Sequence, residues 1–229
     1  MAGLVGFCGS RAFPASGSVS ALVAGVVGSV LAGVPRRDVA VGCALGGDAL
    51  VVSSVLAVGA SSRLSIFAAF GPVSPPWPAA HVSAPGASSS VSSVSGVAAA
   101  LAAGASVSWW AGGGPAVPFA GRLASRSAAL VSAVAASGAG RGFVGFVSSP
   151  CPAGLGPSAS PSACFSGSGS GSWGSLALAA GLGLPVVVFP LAGSALPSSW
   201  GSWVYLPGPS GSPWAGGFLL KPPPALFGR

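Results

Sequence analysis

Short runs that are apolar without alternation, spaced by helix-length segments, constrain this chain more than any other feature. Leu4–Cys8, Val39–Cys43, Leu64–Phe70, Val107–Trp110, Phe143–Val147 and Val186–Phe189 are such runs. A strand with one wet face alternates apolar and polar residues, whereas a strand covered on both faces does not. The intervening segments carry a helical period. They are Ser18–Leu31, a helix opening at Asp48 with Ala49, Val52 and Leu56 on one face, Ser89–Ala103, Phe119–Ala136 and Ser172–Leu182. This alternation predicts βαβ units. The expected fold is α/β: a Rossmann-like parallel sheet of about six strands with helices on both faces. From Leu191 the composition turns to Gly, Pro, Ser and Trp without a helical period. The expected organisation is a domain over 1–190 and an irregular aromatic tail over 191–229. That tail reads as an extended segment or hairpin packed on the domain or on a neighbouring subunit.

Charge is scarce. Nine Lys+Arg against two Asp+Glu give +7, yet charged residues are 5% of the chain, where about 25% is usual. With 51% hydrophobic residues, a charge-swollen disordered chain is excluded. Thr, Asn, Gln and Glu are absent, and Ile66 and Lys221 stand alone of their kinds. All of these types use codons with adenine in the first or second position, so the composition records nucleotide bias as well as protein requirement. Apolar surface that charge cannot cover is usually buried against another subunit. A homo-oligomer, even an extended assembly, is therefore expected, with Trp200, Trp203, Tyr205 and Trp214 of the tail as contact residues.

Residues 12–35 lack charge, but Val19, Leu22, Val23, Val26, Val27, Val30, Leu31 and Val34 form one stripe, and Ser18, Ser20, Gly25, Gly28, Ser29 and Gly33 fill the other side. That pattern is an amphipathic helix and not a membrane span. Residues 142–220 are broken by Pro and Gly too often to span. The apolar stretch before Arg11 is too short for a signal-peptide core. Cys8, Cys43, Cys151 and Cys164 form no CxxC pair, and His81 is the sole histidine, so no metal site is expected. Cys8 and Cys43 read as core thiols, and Cys151 and Cys164 as loop thiols of a reducing compartment. These features describe a cytoplasmic protein with no membrane partner.

In an open parallel sheet, ligands bind beyond the carboxyl ends of the strands. Three Gly/Ser-rich loops fall there: Gly9-Ser10-Arg11 after the first strand, Gly42-Cys43-Ala44-Leu45-Gly46-Gly47-Asp48 after the second, and Gly167-Ser168-Gly169-Ser170-Gly171-Ser172 before the last helix. Glycines let backbone N–H groups approach an anion, and a following helix N-terminus adds partial positive charge. Ser10 and Ser172 add hydroxyls, and Arg11 a cationic fork. Asp48 reads as a helix N-cap, or as a ribose contact.

Val5-Gly6-Phe7-Cys8-Gly9-Ser10-Arg11, followed by Gly42-Cys43-Ala44 to Asp48-Ala49-Leu50, resembles the SLOG superfamily of Rossmann-like proteins. That group includes DNA-processing protein A, the lonely-guy phosphoribohydrolases and the YspA-like proteins. Gly121-Arg122-Leu123-Ala124-Ser125-Arg126-Ser127 resembles the Arg-Asn helix start of the YspA-like branch, with Ser127 in place of Asn. Gly169-Ser170-Gly171-Ser172-Trp173 resembles its GSGT segment. The resemblance covers about residues 3–190 and implies a nucleotide or nucleotide-derived ligand. It implies ligand contacts from Gly9, Ser10, Arg11, Gly46, Gly47, Asp48, Arg126, Gly169, Ser170, Gly171 and Ser172, with Arg11 and Arg126 on phosphate.

The phosphoribohydrolases need a Glu that this chain lacks. Asp38, Asp48 and His81 are its only ordinary acid–base candidates. The expected function is a non-catalytic binding or sensing module for a nucleotide-type ligand. The alternatives are single-stranded nucleic-acid binding of the DNA-processing type, for which the nine cations are scattered along the sequence, and a self-assembling structural protein.

Overall fold

Residues 2–12, 17–72, 92–166, 170–191, 193–208 and 216–221 are described by the computed structural model, with Phe119 and Ala120 as backbone only. Along the chain lie β1 (Gly3–Gly9), α1 (Gly17–Ala32), β2 (Arg37–Val41), α2 (Gly47–Ala57), β3 (Leu64–Phe67), α3 (Val94–Ala102) and β4 (Ser106–Ser108). They are followed by α4 (Phe119–Ala135), β5 (Gly142–Val147), the single turn α5 (Pro161–Cys164), α6 (Gly171–Gly181), β6 (Val186–Pro190), β7 (Ser202–Leu206) and β8 (Gly217–Lys221). One sheet holds all the strands in the order β4-β3-β2-β1-β5-β6-β8-β7. Strands β1 to β6 are mutually parallel, and β8 joins β6 antiparallel and pairs antiparallel with β7.

The apolar runs of β1, β2, β3, β5 and β6 are largely buried on both faces, as their lack of alternation requires. Strand β4 at the sheet edge corrects that expectation, with Ser106 and Ser108 exposed and Val107 half-buried. On one face, Val19, Val23, Val26 and Val27 of α1 and Val51, Val52 and Val55 of α2 pack against Val5, Phe7, Val39 and Val41. On the other, Leu130, Val131 and Val134 of α4 and Leu176 and Leu178 of α6 cover Ala40, Phe143 and Val188. The helices thus divide into an α1–α2–α3 layer and an α4–α6 layer. Among the described residues, no helix is long and apolar enough to cross a membrane.

Several expectations need correction. The sheet has eight strands and not six, because part of the 191–229 segment forms a hairpin that lengthens it. A hairpin is one of the two forms expected of this segment, but the positions of its strands and their joining of the sheet are not marked amid Gly and Pro. The buried face of α2 is Asp48, Val51, Val52 and Val55, one residue out of phase with the expected Ala49–Val52–Leu56 stripe. Val34 belongs to no stripe: it follows the end of α1 and is 92% exposed. Cys164 is not an open loop thiol, since it ends α5 and is buried. Strand β3 stops at Phe67, although Ala68–Phe70 stays buried and bonds to 108–111. Of the expected helix at 89–103, residues 89–91 lie outside the described residues and the helix begins at Val94. His81 and Trp214 also lie outside them.

The tail aromatics separate. Trp200 is buried edge-on against Trp173 at 5.6 Å and 83°, and its indole N–H donates to the Leu155 carbonyl at 2.8 Å. Trp203 lies beside Trp200 and donates to the Pro197 carbonyl at 3.0 Å. Tyr205 is exposed on β7. The crossover from β6 to β7 thus seats an indole in the core of the α4–α6 layer.

Candidate functional site

The sheet order reverses at β1. The chain builds outward from β1 through β2 and β3 to β4, and then returns to place β5 on the other side of β1. Helices leave neighbouring strands toward opposite faces there, the arrangement that in open α/β sheets sets a ligand crevice outside the carboxyl ends of the strands. The first two Gly/Ser-rich loops meet at that point.

Much of their hydrogen-bonding capacity joins one loop to another. The Ser10 amide donates to the Phe146 carbonyl at 3.0 Å, and the Ser148 amide donates to the Ser10 hydroxyl at 3.0 Å. The Ser148 hydroxyl donates to the Ala12 carbonyl at 3.0 Å, and the Gly47 amide to the Ser10 carbonyl at 3.1 Å. Gly46 has φ of +77°, and a Cβ there would collide with the carbonyl oxygens of Ser10 and Arg11. Its glycine is needed for close loop packing as well as for backbone conformation. Gly46, and not Asp48, is the N-cap of α2. The expectation that Asp48 caps the helix is therefore corrected. The Arg11 side chain remains exposed at the rim.

Asp48 sits in the first turn of α2 and turns inward. Its Oδ2 accepts the Ala44 amide at 3.1 Å and pairs with Arg126 Nη1 at 3.2 Å, with both side chains buried. Asp48 belongs to the α2 layer and Arg126 to α4 on the opposite face. They meet over Gly42, just beyond β2, where a Cβ would occupy the space of the guanidinium. The absence of a side chain at Gly42 opens the passage between layers. Arg126 Nε is buried and has no hydrogen-bond partner among the described residues. The guanidinium expected to meet phosphate is thus held at its Nη1 by a carboxylate.

Burial pushes the Asp48 carboxyl above the ordinary carboxylate range, against the opposing pull of Arg126 and of the Ala44 and Gly9 amides. Burial also raises the Cys8 thiol, helped by the nearby Asp48 charge and opposed by Arg126. Cys8 Sγ donates to the Ser172 carbonyl at 3.5 Å, which brings the start of α6 over the end of β1. Ser170 is the N-cap of α6, Gly171 begins the helix and Ser172 is buried. Gly169 lies outside the described residues.

The expected residues Gly9, Ser10, Gly46, Gly47, Asp48, Arg126 and Ser172 therefore converge around the end of β1, with Arg11 at their exposed margin. Arg122 instead stacks on Trp110, 5.0 Å from the ring centroid. Sequence reading missed Gly42 as a passage and Ser148 as the link between loops, although Ser148 directly follows an apolar run ending at a carboxyl edge.

A groove of about 590 Å³ adjoins the ends of β5 and β6, lined by residues 150–156 and 195–199. Its Cys151 thiol is pushed up to about 11 by burial, so it is protonated at neutral pH and a poor nucleophile. Among the described residues, no group of three or more His, Cys, Asp or Glu could hold a metal ion. Comparison with protein-family models, curated proteins and solved structures returns no match.

Asp48 gives the fold a signed pH dependence. Its folded-state affinity for a proton exceeds that of an exposed carboxyl, which titrates near pH ~4. The resulting stabilisation is complete below that value and is lost as pH rises through the raised folded value. Urea midpoints measured upward from pH ~4 should fall for the wild type and be flatter for Asp48→Asn. A wild-type midpoint that rises over this window would contradict the assignment.

Proposed function

We propose that the carboxyl edge binds a nucleotide or nucleotide-derived phosphate ligand, and that the protein is a binding or sensing module without catalytic chemistry of its own. The observation that carries this reading is the exposed Arg11 at the strand-order reversal, on a loop bonded to the first turn of α2. A helix N-terminus and a guanidinium together favour an anion. The α6 start, held over β1 through Cys8, supplies a second positive dipole end to the same region.

The resemblance to the SLOG superfamily belongs to this reading. So does the placement of the carboxylates, because Asp48 is buried in its ion pair and Asp38 lies in β2 toward the opposite edge. Neither is free to work as a general base on a ligand in the crevice. Calorimetric titration with purine and pyrimidine nucleotides tests the proposal. A charge-assisted contact is worth about 1.5–3 kcal/mol, so Arg11→Ala should weaken affinity by about ten- to a hundredfold. Absence of binding to every phosphate-bearing ligand would contradict it.

Self-association is a second reading, favoured by β7. This edge strand carries exposed Val204, Tyr205 and Leu206, has no charge or proline, and has no pairing on its outer side among the described residues. Such an edge is a template for a strand from another copy. Light scattering should give a mass above that of one chain for the wild type and a reduced mass for Val204→Lys. A monodisperse wild-type monomer would sink this reading.

A further inference from the structure

The amino-terminal edge of the sheet, opposite the crevice, gathers most of the cations. Arg36 and Arg37 stand at the start of β2, Arg63 immediately before β3 and Arg141 immediately before β5. Lys221 ends the antiparallel β8, level with the start of β6. Scattered in sequence, these residues form one row from β3 to β8, about 24 Å long at roughly 4.8 Å per strand spacing.

Among the described residues, Asp38 is the sole carboxylate on this edge, and it pairs with Arg36 at 3.4 Å and with Arg63 at 3.1 Å. Arg63 also donates to the Leu31 carbonyl at the end of α1, at 3.0 Å, and to the Arg37 carbonyl. That is an ordinary C-terminal capping role. Arg141 Nη1 donates to the Ser137 carbonyl at 3.2 Å beyond α4. Capping explains neither the exposed Arg36 nor the exposed Lys221. Nor does it explain Arg37, whose Nε is buried without a described partner beside Gly140.

Exposed apolar side chains stand on the same edge. Val34 between α1 and β2 is 92% exposed, Val58 between α2 and β3 is 61% exposed, and Leu182 between α6 and β6 is 38% exposed. Each occupies a loop that turns from a helix end into a strand start. Val34 is two residues from the Arg36-Arg37 pair. A nucleic-acid backbone would use the cations and offer nothing to these three side chains. A bilayer surface with anionic headgroups uses both, since cations are drawn to its potential and apolar tips enter the headgroup boundary.

We propose that the amino-terminal edge docks the protein peripherally on an anionic lipid surface, with Val34, Val58 and Leu182 inserted among headgroups and Arg36, Arg141 and Lys221 against them. This departs from the expected absence of a membrane partner, although no described helix is long and apolar enough to cross the bilayer. The carboxyl-edge crevice then faces water, at the far end of the strands.

Flotation of the full chain with phosphatidylcholine vesicles, with and without phosphatidylglycerol, tests the proposal. Binding is expected only with the anionic lipid, and added salt should release it. Each surface cation contributes about 1 kcal/mol, so Arg36→Ala/Lys221→Ala should weaken binding by about thirtyfold. Val34→Ser, which leaves every charge in place, should weaken it by several-fold. Thermal melting of each variant by circular dichroism verifies that the fold persists. Equal binding to neutral and anionic vesicles, no binding to either, or unchanged binding by either variant would overturn the proposal. A single-stranded oligonucleotide bound by the same row while anionic vesicles are not would also overturn it, and would assign the edge to nucleic acid.

Discussion

The ion pair between Asp48 and Arg126 joins what the sheet separates. Two helical layers on opposite faces of a sheet have no direct contact except at its ends, and this pair closes one end over Gly42. A chain with nine cations and two carboxylates commits one of each to its interior. Buried pairs of this kind add little net stability over an apolar replacement, because desolvation offsets their attraction. They are unforgiving of half-removal, however, since a guanidinium cannot shed its proton when its partner is lost. The pair therefore specifies how α2 and α4 meet, and with them the loops after β1 and β2.

That constraint explains the character of the candidate site. Gly46 and Gly47 bring the α2 turn against the Ser10 carbonyl, and Ser148 fastens the end of β5 to the same loop. The result is a rim of short backbone approaches in which Arg11 is left exposed. Pre-positioned loops lose less freedom on binding than mobile ones do. The same loops would be costly to perturb where their polar groups are withdrawn from water, as in the Ser148–Ser10 and Ala44–Asp48 bonds.

The framework of the fold was legible because doubly covered strands are apolar throughout. Val39–Val41, Phe143–Val147 and Val186–Phe189 could be placed from that signal alone, and the strand-to-helix junctions located Gly9, Ser10 and Gly46–Asp48. What remained hidden lacked a one-dimensional signal. Strand β7 has no buried residue to mark a core face, and β8 follows a run of Gly, Pro and Ser that masks its start in the sequence. The partnership of Asp48 with Arg126 spans 78 residues, and only the crossing of layers over Gly42 brings them together. Val34 continued the spacing of α1 on paper, but the helix ends at Ala32. The row of cations was similarly invisible, since it follows strand order and not chain order.

Charge is thus divided between the two ends of the sheet, and the interior pair organises the end read here as the ligand site. A double-mutant cycle on Asp48→Ala and Arg126→Ala, followed by urea unfolding, tests that claim most directly. Each single change should cost about 3–5 kcal/mol by leaving a buried group without its partner. The double variant should lose less than the sum of the two, with a coupling energy of about 1–3 kcal/mol. Two single costs that simply add would show that the layers are held independently of this pair, and would contradict the account.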